Sequence, residues 1–145
     1  IYDNQIIYNY ILYNMNFVDN GIMSEKQHLF VTLIKKQRKK IPNIGNYGSL
    51  SFDDIKRIDR YISDNIFEEN DKCCLYRGEL KKSYATISFR SRKVSVHRIL
   101  YHNYIGNILP NDYIIFKCKN KGVCCKLSHF MASKKKKYII KNKNK

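Results

Sequence analysis

The sequence predicts an α+β chain: a helical N-terminal part, then a β-hairpin and helix stapled through clustered cysteines, then a basic tail. Three observations predict it. Isoleucine and leucine recur at spacings of three and four between Leu29 and Ile66, and from Tyr84 the apolar period drops to two. All five cysteines, Cys73, Cys74, Cys118, Cys124 and Cys125, lie in the second half. With 145 residues, 43% of them hydrophobic, the chain suffices for one domain core with short appendages. The divisions that follow are residues 1–68 for the helical part, 69–133 for the cysteine-bearing module and 134–145 for the tail.

Residues 1–20, rich in Tyr, Ile and Asn, fit a helix better than a strand. Ser24, with Gln27 three positions on, supplies a capping-box start for a helix whose apolar face is Leu29, Phe30, Leu33 and Ile34. That helix runs out into basic residues 35–40, which suit the negative end of its dipole. Pro42, Gly45 and Gly48 mark a loop. Ser51 with Asp54 opens a second helix, and Ile55, Ile58, Ile62 and Ile66 stripe one face. Ala85, Ile87 and Phe89 then alternate with Thr86, Ser88 and Arg90, and after a turn at Ser91 the alternation resumes with Val94 and Val96. This is a hairpin with one apolar and one polar face. A helix from His97 to Tyr104 follows, ended by Gly106 and Pro110.

Charge is distributed unevenly. Residues 1–68 carry nine basic and eight acidic side chains, whereas residues 69–145 carry nineteen and four, so nearly all of the net +16 sits in the second half. A field that one-sided favours a polyanion, and the phosphate backbone of nucleic acid is the usual one. No apolar run approaches the roughly 18 residues that span a bilayer. No basic-then-apolar leader precedes a small-residue cleavage site, so the expected setting is intracellular, in nucleus or cytoplasm, a viral factory or an organelle included. In a reducing compartment, clustered cysteines followed by histidine point to metal rather than to disulfides.

Cys118, Cys124 and His129 form C-x5-C-x4-H, and Cys73 lies upstream beyond the hairpin. Three thiolates and an imidazole make a closed tetrahedral set, the pattern of a structural Zn2+. Such a site would tie the start of the hairpin to the loop after it and supply much of the folding energy. Cys74 and Cys125 each neighbour a ligand and are assigned to the core, and exchange within each pair stays open.

Cys73-Cys74-Leu75-Tyr76-Arg77-Gly78 resembles the C-W-x-W-x-G opening of zinc-containing HNH homing-type endonucleases, members of the His-Me finger superfamily. Tyr84-Ala85-Thr86-Ile87, Val96-His97-Arg98-Ile99-Leu100-Tyr101 and Gly106-Asn107-Ile108-Leu109-Pro110 are similar to their Y-G-x-I, A-H-R-x-x-Y and G-x-I-P segments, in order. The block from Phe116-Lys117-Cys118 to Cys124-Cys125-Lys126-Leu127-Ser128-His129-Phe130 resembles H-x-C…C-x-N-P-x-H-L. The resemblance covers about sixty residues. It implies a ββα-metal module. The family's general base, two residues before the second zinc cysteine, falls on Phe116, and the asparagine that helps hold its catalytic Mg2+ falls on Tyr138. Phenyl cannot accept a proton, so the step worth roughly 10²–10⁴-fold has lost its agent. The Asn-Pro pair is Lys126-Leu127 here, and the cysteine spacing is one residue longer.

The expectation is a non-catalytic, zinc-stabilised nucleic-acid-binding protein on a degenerate HNH scaffold, such as a transcription or genome-packaging factor, with DNA favoured over RNA. The competing readings are an active divergent HNH endonuclease and a structural subunit of a ribonucleoprotein or polymerase assembly, whose N-terminal helices dock a protein. A two-stranded ribbon fits the major groove. The outward set is then Thr86, Ser88, Arg90, Arg92, Lys93 and Ser95, with Lys81 and Lys82 at the strand's start and Arg98 beyond it. Arg90 and Arg92 are the expected base readers. Lys117, Lys119, Lys121 and the run Lys134, Lys135, Lys136 and Lys137 would neutralise phosphate.

Overall fold

The computed structural model describes residues 25–134. The reading of residues 1–20 as helix, the Ser24 cap, Lys135, Lys136, Lys137 and Tyr138 lie outside them. Helix α1 spans Glu25–Lys36 and buries Leu29, Phe30, Val31, Leu33 and Ile34. Helix α2, Phe52–Asp59, begins in the capping box expected of Ser51: its hydroxyl accepts from the Asp54 amide at 3.1 Å, and the Asp54 carboxylate accepts from the Ser51 amide at 2.9 Å. Each reciprocal bond satisfies a donor the helix itself leaves orphaned. All four isoleucines of the stripe are buried, but the helix ends at Asp59. Ile62 follows in a turn and Ile66 in a 3-10 turn over Asp64–Phe67. The spacing reported which side faces the core, and a bend at Ile62 followed by extended Ser63 preserves that side without a continuous helix.

Three antiparallel strands follow in the order β1 (Leu80–Lys81), β2 (Tyr84–Phe89) and β3 (Arg92–Ser95). Thr86 pairs with Ser95 and Phe89 with Arg92, so Ala85, Ile87, Phe89 and Val94 share the buried face. Both connections are two-residue turns in the left-handed region, Lys82-Ser83 at φ 52° and 70° and Arg90-Ser91 at φ 50° and 66°. Helix α3 spans Val96–Tyr104; Val96, expected to end the strand, instead begins the helix because Ser95 caps it, its hydroxyl accepting from the Arg98 amide at 3.4 Å. A second sheet pairs β4 (Asp112–Phe116) with β5 (Phe130–Lys134), Asp112 opposite Lys134 and Phe116 opposite Phe130. Strand β5 thus takes in Lys134, read from the sequence as tail.

One buried cluster joins Leu33, Ile55, Ile62 and Ile66 of the helical part to Phe89, Val96, Ile99, Leu100 and Cys125. Polar groups close the same seam. The Asn103 amide, fully buried on α3, accepts from Gln37 Nε2 at 2.8 Å and from the Leu50 amide at 3.0 Å. It donates to the Gly48 and Ile99 carbonyls, each at 2.9 Å. His102 Nε2 donates to the Pro42 carbonyl at 2.7 Å, and Arg38 reaches the His102 carbonyl at 2.7 Å. The Pro/Gly loop is therefore held on α3 by buried hydrogen bonds. Each group left unpartnered there would cost about 1–3 kcal/mol. Asn103→Ala should lower stability by about 3 kcal/mol in urea unfolding, because it orphans several such groups together; a loss under about 1 kcal/mol would show that water replaces them.

Candidate metal centre

Leu75 and Cys124 face each other in an isolated antiparallel bridge, with the Tyr76 amide on the Val123 carbonyl at 2.9 Å and the Cys125 amide on the Cys74 carbonyl at 2.6 Å. That bridge lays the segment before the hairpin beside the loop joining β4 to β5. The loop's tight path uses Gly122 at φ +82°, where a Cβ would stand 2.7 Å from the Ser83 carbonyl oxygen. Tyr76 stands over Gly78, whose absent side chain makes room for the ring, and its hydroxyl donates to the Thr86 carbonyl at 3.0 Å.

Cys73, Cys118, Cys124 and His129 converge there, with their four ligand atoms all within 4.8 Å of one another. His129 Nδ1 lies 3.6 Å from Cys73 Sγ and 3.5 Å from Cys124 Sγ. A tetrahedral ion bound at about 2.3 Å to sulfur and about 2.1 Å to nitrogen would hold those atoms about 3.6 Å apart. The donor set fits a metal ion. His129 Nε2 is 2.6 Å from the Asn70 carbonyl oxygen, which fixes it as the donor and leaves the Nδ1 lone pair facing the thiols. The Asn70 side chain also accepts from Lys126 Nζ and, at 3.0 Å, from the Lys72 amide. Sequence reasoning passed over Asn70 because its part is played by a backbone carbonyl, which any residue type supplies.

The spare thiols separate from the ligands. Cys74 and Cys125 are fully buried in the core. Burial pushes both thiols up, for Cys74 against hydrogen bonds from Ser63. Burial likewise pushes Cys124 up to about 12. At Cys73 burial is outweighed by side-chain hydrogen bonds with Asn120, Cys124, His129 and Cys118, which bring the thiol down to about 7. The open exchange between neighbouring cysteines thus resolves to Cys73 and Cys124 at the cluster. A cleft of about 610 Å³ opens onto Cys73, Cys118 and His129, so the centre is reachable from solution.

The expected polar face of the hairpin has a different distribution of work. Arg90 donates to Asn43 at 2.9 Å and Arg92 to Asn46 at 3.2 Å, both docking the Pro/Gly loop. Lys93 pairs with Glu79. The Arg98 guanidinium binds the Asp112 and Leu109 carbonyls at 2.5 and 3.0 Å. Lys134 Nζ lies 3.2 Å from Asp112 Oδ1. Ser95 caps α3, while Thr86 and Ser88 are half-buried on β2. Lys81, Lys82, Lys117, Lys119 and Lys121 are exposed. Phe116, on β4, packs edge-on against the His97 ring at 4.6 Å. His97 is buried, its Nε2 lies 2.8 Å from the Cys124 carbonyl oxygen, and burial drives its pKa down to about 4, so the ring is neutral at pH 7.

No family model matches the chain, and no solved structure matches it. Over 109 residues it is 37% identical to an uncharacterized protein of Acanthamoeba polyphaga mimivirus. That stretch is 70% of this chain and 31% of the viral protein, so the chain spans about a third of its relative's length. No helix among the described residues is long and apolar enough to cross a membrane.

Cys118→Ser and His129→Ala should each abolish bound metal by mass spectrometry of the native protein and lower the melting temperature. Cys74→Ser and Cys125→Ser should keep the ion. Retention of metal by Cys118→Ser together with its loss in Cys125→Ser would reassign the ligands.

Proposed function

We propose that the chain is a non-catalytic nucleic-acid-binding protein, stapled by Zn2+ and built on a degenerate HNH-like scaffold. The observation that carries this reading is a contrast within one short stretch. Cys118, Cys124 and His129 meet Cys73 in a set suited to zinc, while two residues before Cys118 the chain places a phenyl ring. On this reading β2, β3 and α3 are the ββα element, and Phe116 stands where a nuclease of this type needs a base. The neighbouring imidazole does not replace it, since His97 is 1% exposed and so is out of reach of an attacking water.

Binding is supported by the excess of fifteen positive charges over residues 69–145. The cations carrying it to a polyanion are the exposed Lys81, Lys82, Lys117, Lys119 and Lys121, joined by Lys135, Lys136 and Lys137. Arg90 and Arg92, bound to the Pro/Gly loop, act in this reading by holding the hairpin's shape. Duplex DNA is the partner we favour over RNA, because a two-stranded ribbon fits the major groove of B-form helices. The reading places the protein inside the cell, in nucleus, cytoplasm or viral factory, in keeping with five free cysteines and a mimivirus relative.

A plasmid-nicking assay with Mg2+ or Mn2+, run beside a gel shift on one preparation, tests both halves. Binding without nicking is expected. Metal-dependent nicking that survives Phe116→Ala and dies with His97→Ala would make the protein a rearranged nuclease. Removing Lys81, Lys82 and Lys121 together should weaken binding to all sequences and flatten the slope of log affinity against log salt by about 3.

A further inference from the structure

A second cleft, sharing no lining residue with the one at the metal centre, lies between the start of β2, the first turn of α3 and strand β4. Its volume is about 340 Å³, and Tyr84, Tyr113 and Phe116 supply its aromatic walls. We infer that this cleft stacks one unpaired nucleobase. The inference rests on the nucleic-acid reading above and names where on the chain a single base is held.

The aromatic arrangement comes first. Tyr84 is 39% exposed, far more than a core ring, and its centroid lies 6.3 Å from that of Phe116. Phe116 in turn is fixed by an edge contact to His97 at 4.6 Å and a tilted contact to Phe130 at 6.0 Å. The rings are thus braced from behind and open toward solution, as a stacking platform must be. The volume falls within the range of small-molecule sites and accommodates a planar heterocycle.

Polar chemistry comes next. His97 lines the cleft and is 1% exposed. Its Nε2 is engaged with the Cys124 carbonyl, and its buried Nδ1 has no partner among the described residues. A buried acceptor without a donor costs stability, which makes His97 the polar group standing behind the Phe116 ring. At the rim stands Lys121, next to Gly122, whose carbonyl accepts from the Ala85 amide at 2.8 Å. That bond sets the start of β2 and the turn before it, which carries the exposed Lys82, beside Lys121, so cations are at hand for the phosphates flanking a bound base. Within a duplex both faces of a base are covered by its neighbours, so the ligand is a single strand or a base swung out of its stack. A bare phosphate would use the lysines and leave the rings idle.

The test uses the full chain and a short single strand carrying iodouracil, with the matching hairpin duplex as comparison. Ultraviolet cross-linking followed by peptide mapping should place the adduct on Tyr84 or Tyr113. Tyr84→Ala should weaken single-strand binding about tenfold while duplex binding changes less than about threefold, and Tyr84→Phe should bind as the wild type does. If the single strand binds but cross-links elsewhere and Tyr84→Ala is silent, the stacking site is wrong and the nucleic-acid reading stands. If neither strand form binds the wild-type chain, both fall together.

Discussion

Three sulfurs and an imidazole nitrogen brought within 4.8 Å of one another cannot all be good ligands and good neighbours without a cation between them. As thiols they bury polar groups; as thiolates they repel. Of the two cysteines that touch His129, burial pushes the Cys124 thiol up, whereas hydrogen bonds bring the Cys73 thiol down despite burial. A metal ion held by these donors would remove the conflict, because it attracts thiolates and a neutral imidazole alike. Much else follows from holding those atoms together. The Leu75–Cys124 bridge, the left-handed Gly122 and the β4–β5 pair all serve to return the chain to the point where Cys73 waits.

The helical part joins this module through shape and through shared polar groups. Asn103 gathers Gln37, Gly48 and Leu50 onto α3, and Arg90 and Arg92 reach back from the hairpin to Asn43 and Asn46. Arginines at a hairpin tip suggest readers of a partner. Here their donors are directed to side-chain carbonyls of the same chain. Each spends one N–H group on a neutral amide oxygen, so the charge stays on the exposed hairpin tip while its geometry is tied to the loop.

The ligand set, the β2–β3 hairpin, α3 and the Ser51 cap were legible because each follows a local rule: spacing of donors, period two, or a hydroxyl three residues before a carboxylate. Strand β1 was not, since the Lys82-Ser83 turn uses left-handed backbone without the Asn or Gly that announces it. Strands β4 and β5 escaped because thirteen residues that hold three of the four ligands separate them, and neither alternates in burial. The early end of α2 was hidden by isoleucines that keep helical spacing after the helix has stopped. The orientation of Arg90, Arg92 and Arg98 depends on segments far away in sequence, which no local pattern encodes.

Cys73 and His129 stand 56 positions apart, and the other two ligands come near the end of that interval. At about 5–20 residues per second, a ribosome needs roughly three to eleven seconds to make the chain between them. During that time Cys73 emerges without its partners, and the hairpin and α3, whose partners Gln37, Asn43, Asn46 and Leu50 all precede them in the chain, are synthesised before the last imidazole. The four donors of the cluster can therefore meet only after the hairpin has been synthesised. Until it does, the nascent chain exposes a thiol to whatever oxidant or stray metal the compartment holds.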